Sequence, residues 1–271
     1  MKIGKNIDLI GAIPIINPTF TLIIIALSFM VTPIHSQSFK YDQIKYQRVR
    51  VAYNENYDFI DSMFHEKSID INKMNIFLRA IKSERKLELY AKNKNDSIYT
   101  LIKSYDFCFF SGELGPKRAQ GDMQIPEGFY HIDRFNPSSY FFLSLGINYP
   151  NISDRKLSNS RDVGGDIFIH GDCVSIGCIP LTDKWIKELY VICVEAKNNG
   201  QSKIPIHLFP FRMEDYDKNR LRYFTEISRL KFWASLADGY NYFEVKKQVP
   251  KIKTNAYGFY QVQDSEVETP Q

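Results

Sequence analysis

The sequence predicts a mainly β domain of the α+β class, with helices at both ends. Three patterns lead there. Between residues 75 and 105, short apolar runs alternate with charged turns, the mark of an antiparallel meander. Before it, Val49, Tyr53, Tyr57, Ile60 and Phe64 recur every three or four residues, as an amphipathic helix requires. After the last strand-like run, helical spacing returns at Tyr223, Ile227, Leu230 and Trp233. A chain of 271 residues is long enough for one core with appended helices.

The first 36 residues are of another kind. Lys2 and Lys5 precede an apolar stretch from Ile7 to Val31, and His35-Ser36-Gln37 returns to polar sequence. A basic start, an apolar run and a polar boundary predict a secretory signal cut after Ser36, and hence export to the periplasm or cell envelope. An uncleaved membrane anchor is the alternative, although Asp8, Pro14, Asn17 and Pro18 interrupt the early part.

The meander consists of Asn75–Ile81, Leu87–Tyr90 and Ile98–Tyr105, and Asp106–Ser111 extends the third strand or begins a fourth. Residues 112–128 are rich in Gly, Pro and charge. Loops of that length are usually functional. Phe129–Phe135 and Tyr140–Leu145 read as strands, residues 148–165 as a polar loop, and Asp166–His170 as a short buried strand. Thr182-Asp183 can cap a helix over residues 184–198, with Asp accepting orphan backbone donors. Trp185, Leu189, Ile192 and Cys193 would share its apolar face. Ile204–Phe211 is one more strand, Met213–Leu236 is helical, and residues 239–271 are mixed.

A net charge of +4 without a basic block argues against a nucleic-acid partner. It suits an anionic polymer such as a cell wall. The four cysteines, Cys108, Cys173, Cys178 and Cys193, are too few for a disulfide framework in so long a chain. A zinc site from His170, Cys173 and Cys178 lacks the second pair of ligands that structural zinc takes. No metal or cofactor is expected, and the chain reads as a monomer.

The chemistry concentrates in His170-Gly171-Asp172-Cys173-Val174-Ser175-Ile176-Gly177-Cys178, with Asp183 beyond it. A thiol attacks as thiolate and needs a base beside it. His170 ends a strand eight residues before Cys178, so a returning loop can bring its imidazole to the sulfur and lower the thiol pKa. Gly171 and Gly177 allow close backbone approach. Amides around Gly177 and Cys178 could face a developing oxyanion, and Ser175 could hold the loop or add a donor. Cys173 is packing, a redox partner, or the disulfide partner of Cys108. Cys193, His131 and His207 read as core or rim. Asp172 either orients His170 or contacts backbone, and Tyr149 either lines a groove or packs.

These residues carry a resemblance. His170-Gly171, Ser175-Ile176-Gly177-Cys178 and Asp183, together with Gly121-Asp122-Met123-Gln124-Ile125-Pro126-Glu127-Gly128, resemble the signatures of the L,D-transpeptidase catalytic domain, the YkuD-type family. Ile176 stands where most members have His, and Pro180 where most have Arg. The short His-to-Cys spacing, Ser111–Lys117, Asn148–Asn151 and Ile204–Phe211 are similar to the YafK-like murein L,D-transpeptidase branch. The resemblance implies a YkuD-like β-sandwich and divides the chain into a signal or anchor (1–36), an N-terminal helical segment (37–74), a catalytic domain (75–212) and a C-terminal helical extension (213–271). It implies acyl transfer on peptidoglycan stem peptides through a Cys178 thioester, with His170 as base, in cell-wall biogenesis. Lys117, Arg118 or Arg212 would then hold the substrate carboxylate in place of the missing Arg, and Tyr149 would line the groove. An L,D-specific hydrolase acting on a stem peptide or a peptidoglycan-linked lipoprotein is one alternative. A non-catalytic wall-binding module is the other.

Overall fold

The computed structural model describes residues 38–217 and 226–263. The expected signal, with its cleavage point, and Tyr223 lie outside those residues. Among the described residues, no helix is long and apolar enough to cross a membrane.

The described residues open with two helices, α1 (Phe39–Ile44) and α2 (Gln47–His65). The three-to-four spacing read from the sequence buries Val49, Ala52, Ile60 and Phe64 on one side of α2. Strands β1 (Met74–Ile81), β2 (Lys86–Asn93) and β3 (Thr100–Asp106) form the antiparallel meander. Then follow β4 (Gly128–Asn136), β5 (Ser144–Ile147), the short helix α3 (Ile152–Leu157), β6 (Phe168–His170) and β7 (Ile179–Pro180). Helix α4 (Asp183–Asn198) leads to β8 (Ile204–Phe209), and α5 (Ile227–Lys246) to a ribbon of β9 (Ile252–Thr254) and β10 (Tyr260–Val262).

Hydrogen bonds join eight strands in the order β3-β2-β1-β8-β4-β5-β6-β7. This corrects the expected sandwich, because one continuous mixed sheet takes the place of two stacked ones. The sheet is curled. Cys108, just past the β3 edge, donates its amide to Pro180 O on the β7 edge at 3.1 Å, and a disulfide joins Cys108 to Cys173. The two edges therefore approach each other at a seam. Pro180 is tolerated there because an edge strand does not need every ladder donor.

Central strands are buried on both faces, which is why their sequence alternates so weakly. In β1, Ile76, Leu78 and Ala80 face the core shared with α4, while Phe77 and Ile81 join the side packed by α5. Helix α4 packs against the sheet and α2, burying Leu189, Ile192 and Cys193 as expected. Its N-cap is Thr182, whose Oγ1 accepts the Trp185 amide at 3.3 Å. Asp183 is thereby freed from the capping role expected of it.

Three sequence expectations shift. Phe107–Ser111 leaves the strand, since its residues turn to the seam and the loop behind it. Tyr140, Phe141 and Phe142 form a loop, and β5 begins only at Ser144. The polar stretch after Asn148 holds α3, closed by a capping box in which Asn151 and Asp154 bond each other's amides.

Candidate active site

The nucleophile segment lies at the seam. Strands β6 and β7 pair in parallel, with Ile169 opposite Ile179 and His170 opposite Pro180. Extending that register by one residue puts Cys178 level with Phe168. His170 is then two residues, about 7 Å, further along the same face. The Phe168 amide donates to Cys178 Sγ at 3.4 Å, and the thiol donates to Asp166 O at 3.7 Å. Among the described residues these are the thiol's hydrogen-bond partners, and His170 is not one of them. Cys178 and His170 instead share a pocket of about 310 Å³, with Phe109, Phe141, Cys173, Val174, Ser175 and Ile176.

His170 is 1% exposed. Its Nδ1 lies 2.5 Å from Gly171 O. A carbonyl can only accept, so Nδ1 carries the proton and Nε2 is left as the basic nitrogen. Burial pulls the His170 pKa below its ordinary 6.5, against the opposing pull of the Gly171 bond and the Asp172 charge. Burial also pushes the Cys178 thiol above its ordinary 9.0, while the Phe168 amide works the other way. This reverses the expected lowering by His170. At neutral pH the two groups rest as imidazole and thiol, because burial disfavours both charged forms.

Ser175 organises the loop. Its Oγ accepts the amides of Gly177 (3.1 Å) and Cys178 (2.8 Å) and donates to Cys178 O at 2.8 Å. The two amides expected at an oxyanion site are thus held by a hydroxyl that a substrate oxygen would have to replace. Gly177 has φ +132°, and a β-carbon there would come within 3.0 Å of Gln124 O. A β-carbon on Gly171 would meet an Asp183 carboxylate oxygen at 2.6 Å. Asp183 accepts the Asp172 amide at 3.0 Å, and Asp172 accepts the Cys173 amide at 2.7 Å. Asp172 therefore makes the backbone contact, and Asp183 ties the loop to α4. Cys173 is the disulfide partner of Cys108, which removes it from any zinc ligand set. Of the two free thiols, Cys178 is partly exposed and Cys193 is buried.

The residues expected to hold a carboxylate are elsewhere or occupied. Lys117 is buried, with its ammonium on Asp122 Oδ1 (2.7 Å) and Ala119 O (2.8 Å). Its charge still acts on the Cys178 thiol. Arg118 pairs with Asp154 at 3.0 Å, and Arg212 with Glu84 and Glu88 at 2.7 to 2.9 Å. The Tyr149 hydroxyl donates to Val163 O at 3.0 Å, and its ring borders a different cleft. A cation beside this segment that sequence reasoning did not single out is Arg134. It pairs with Asp166 at 2.7 Å and with Asp133 at 3.1 Å, lies 4.8 Å from the Phe168 ring centre, and is 43% exposed. Only the sheet register, which places β4, β5 and β6 side by side, could have pointed to it. His131 is half-buried on β4 and His207 fully buried on β8, ringed by Phe77, Phe129 and Phe209.

The Gly121–Gly128 stretch is scaffolding behind this site. Asp122 accepts the amides of Arg118, Ala119 and Gln124 at 2.8 to 3.0 Å. Glu127 is fully buried. It receives Lys82 Nζ (2.9 Å) and the Gly115 amide (2.7 Å) on one oxygen and the Trp233 indole (2.7 Å) on the other. The loop is thereby anchored to the end of β1 and to α5, and it presents Gln124 O to Gly177.

The chain resembles known proteins. The L,D-transpeptidase catalytic domain family, YkuD, matches residues 67–206. The chain is 38% identical over 180 residues to "Putative L,D-transpeptidase YafK" of Escherichia coli K12, covering 65% of this chain and 70% of that protein. The namesake of E. coli O157:H7 matches to the same extent. Among solved structures, the helical cell shape determining protein Pgp2 of Campylobacter jejuni aligns at TM-score 0.41 and 18% identity, covering 68% of this chain and 73% of that one. Bd1075 of Bdellovibrio bacteriovorus aligns at TM-score 0.37 and 17% identity, covering 68% and 78%.

Proposed function

The chain belongs to the L,D-transpeptidase catalytic domain (YkuD) family, and from that premise we propose that it transfers acyl groups of peptidoglycan stem peptides through a thioester on Cys178. The observation that carries the reading is a partly exposed free thiol sharing one pocket with a buried, neutral imidazole. A neutral pair suits general-base attack. As Sγ adds to the carbonyl of an L–D peptide bond, its proton passes to His170 Nε2. The tetrahedral intermediate collapses, the imidazolium returns the proton to the leaving amine, and the acyl group stays on Cys178. An incoming amine then gives up its proton to His170 and attacks the thioester; the C–S bond breaks, the new amide leaves, and the imidazolium returns the proton to the Cys178 sulfur. Gly177 and Cys178 amides stabilise the oxyanion once the Ser175 hydroxyl yields them.

Most of the pocket wall is apolar, and Ile176 stands 79% exposed at its rim. A poorly solvated wall strengthens the few polar interactions formed with the transition state. With Lys117, Arg118 and Arg212 occupied, Arg134 is the group we assign to the substrate carboxylate. It too is paired, with Asp133 and Asp166, but both pairs are exposed and weak enough to be exchanged. A disulfide at the site fits an oxidising compartment and therefore export.

The test is incubation of purified protein with peptidoglycan sacculi, followed by mass analysis of the muropeptides. New cross-links, absent with Cys178→Ala, are expected, together with a trapped acyl adduct on Cys178. Released peptides would instead mark a hydrolase. No change with the wild type would sink the catalytic reading and leave a wall-binding module.

A further inference from the structure

The N-terminal helix α2 precedes the matched family region, yet one of its side chains holds the loop that lies against the candidate base. We propose that Arg48 is a positioning residue for His170, acting through the loop between β4 and β5 and the ring of Phe141. This rests on the reading of His170 as the general base.

Residues 137–143 form that loop. One nitrogen of Arg48, Nη1, donates to Ser139 O at 2.5 Å and to Phe142 O at 2.7 Å. Those two carbonyls bracket Phe141. The Arg48 guanidinium also lies 5.4 Å from the Phe142 ring centre. Within the loop, Ser139 Oγ accepts the Phe141 amide at 3.1 Å. Phe142 has φ +69°, a left-handed conformation that a residue with a bulky side chain keeps only when its surroundings impose it. Charge-assisted bonds on the carbonyls around it are such an imposition. The next residue, Leu143, accepts the Gly171 amide at 3.2 Å, which ties the loop to the residue after His170.

The result is a cover. The Phe141 ring lies 4.5 Å from the His170 ring, inclined at 32°. Phe141 is itself 40% exposed, while His170 is 1% exposed, so Phe141 stands between the imidazole and water on the pocket side. The other groups around His170 are accounted for. Gly171 O holds Nδ1, and the Asp172 carboxylate acts from the following turn. Asp183 from α4 is bound to the Asp172 amide, and the Cys178 thiol lines the same pocket from the β7 side. From α4, Lys187 stands 6.0 Å from the Phe142 ring, and its ammonium pairs with Glu55. Burial is the largest influence on the imidazole, and the cover supplies part of that burial.

Arg48 is exposed, so its replacement should leave the fold intact. The experiment titrates His170 by NMR in wild type, Arg48→Ala, Arg48→Lys and Phe141→Ser, and records pH profiles of kcat and KM on stem-peptide substrate. In Arg48→Ala the loop loosens, water reaches the ring, and the His170 pKa climbs toward 6.5. The acid limb of kcat/KM moves up with it. A misplaced ring costs on the order of 10-fold to 100-fold in kcat, with a smaller change in KM. Arg48→Lys restores part of this, since one ammonium reaches one carbonyl. Phe141→Ser removes the cover directly and raises the same pKa, which serves even if Arg48→Ala fails to melt cooperatively. An unmoved His170 pKa in either folded variant overturns the proposal. The NMR titration needs no turnover, so wild-type protein inert on sacculi would sink the proposed reaction and still leave the cover measurable.

Discussion

Replacing Glu127 with Gln should destabilise the protein through one buried charge. Lys82 and Glu127 are both fully buried, and Lys82 Nζ also donates to Gly115 O (2.7 Å) and Ile125 O (2.9 Å). Gln keeps the shape and removes the countercharge. It also turns one acceptor into a donor, facing either Lys82 and Gly115 or the Trp233 indole. Breaking a buried ion pair at one end costs about 3–5 kcal/mol. At roughly 2–4 °C per kcal/mol for a domain of this size, Tm falls by about 6–20 °C. Burial already depresses the Lys82 pKa from 10.5, with Glu127 opposing, and losing Glu127 depresses it further. In the variant, between that depressed pKa and 10.5, the unfolded chain binds a proton that the folded chain does not. The wild type does the same above its own depressed Lys82 pKa, so the stability of Glu127→Gln relative to wild type rises with pH only between the variant's Lys82 pKa and the wild type's. Thermal unfolding of both proteins, with Lys82→Met/Glu127→Gln as a third, measures this. The double variant lacks the orphan ammonium and should recover part of the loss. A drop below about 1 kcal/mol in the single variant, smaller than the usual cost of an unpaired buried group, would refute the anchoring role.

Three further outcomes follow from the site. The kcat/KM profile should be broad, rising as pH passes a His170 pKa below 6.5 and falling once Cys178 ionises above 9.0. On the alkaline side the proton needed by the leaving amine is gone; a thiolate–imidazolium pair would instead give a thiol alkylation rate already at plateau near neutrality. Ser175→Ala removes the bonds to Gly177, Cys178 and Ser111. It should lower stability by about 1–3 kcal/mol and reduce kcat more than it raises KM; unchanged kcat and Tm would show that the loop holds its own shape. Arg134→Ala should raise KM about 10-fold or more on substrate with a free α-carboxylate and change little on its amide, since a charge-assisted bond is worth about 1.5–3 kcal/mol. Equal effects on both would remove Arg134 from carboxylate binding.

Much of the fold was legible because its signals are local. The α2 stripe, the meander and the apolar face of α4 each follow from spacing within one element. What was hidden is what elements do to one another. The curl of the sheet depends on Cys108 meeting Pro180 across 72 residues of sequence, and no periodicity reports that. Tyr140-Phe141-Phe142 has strand-like composition, yet Arg48 and Ser139 hold it as a loop. Thr182-Asp183 read correctly as a helix start, but the two side chains divide the work, one capping and one closing the Asp172 turn. For the site, residue types and spacing offered Cys178 with His170 as candidates, and the family resemblance set them above the other thiols. Charge states were out of reach, because desolvation depends on Phe141 and on the strands at the seam.

The departures from the family pattern bear on one another in this structure. Where most members have Arg two residues after the Cys, Pro180 closes an edge strand and offers its carbonyl to Cys108. Any side chain at that position starts from backbone already bonded to Cys108 at the seam. Where most members have His two residues before the Cys, Ile176 adds to an apolar rim. The second change leaves an apolar side chain at the rim of the thiol's pocket. A weakly solvated thiol with a weakly basic, covered imidazole follows physically. Neither charged form is stabilised in advance, so under the proposed mechanism substrate supplies the polar surroundings for proton transfer from Cys178 to His170. An unliganded site of this kind should react slowly with iodoacetamide at pH 7, and faster when a stem peptide that cannot be cleaved occupies the carboxylate side without covering the sulfur. An alkylation rate at pH 7 already equal to that of a free thiolate would contradict the argument at its base.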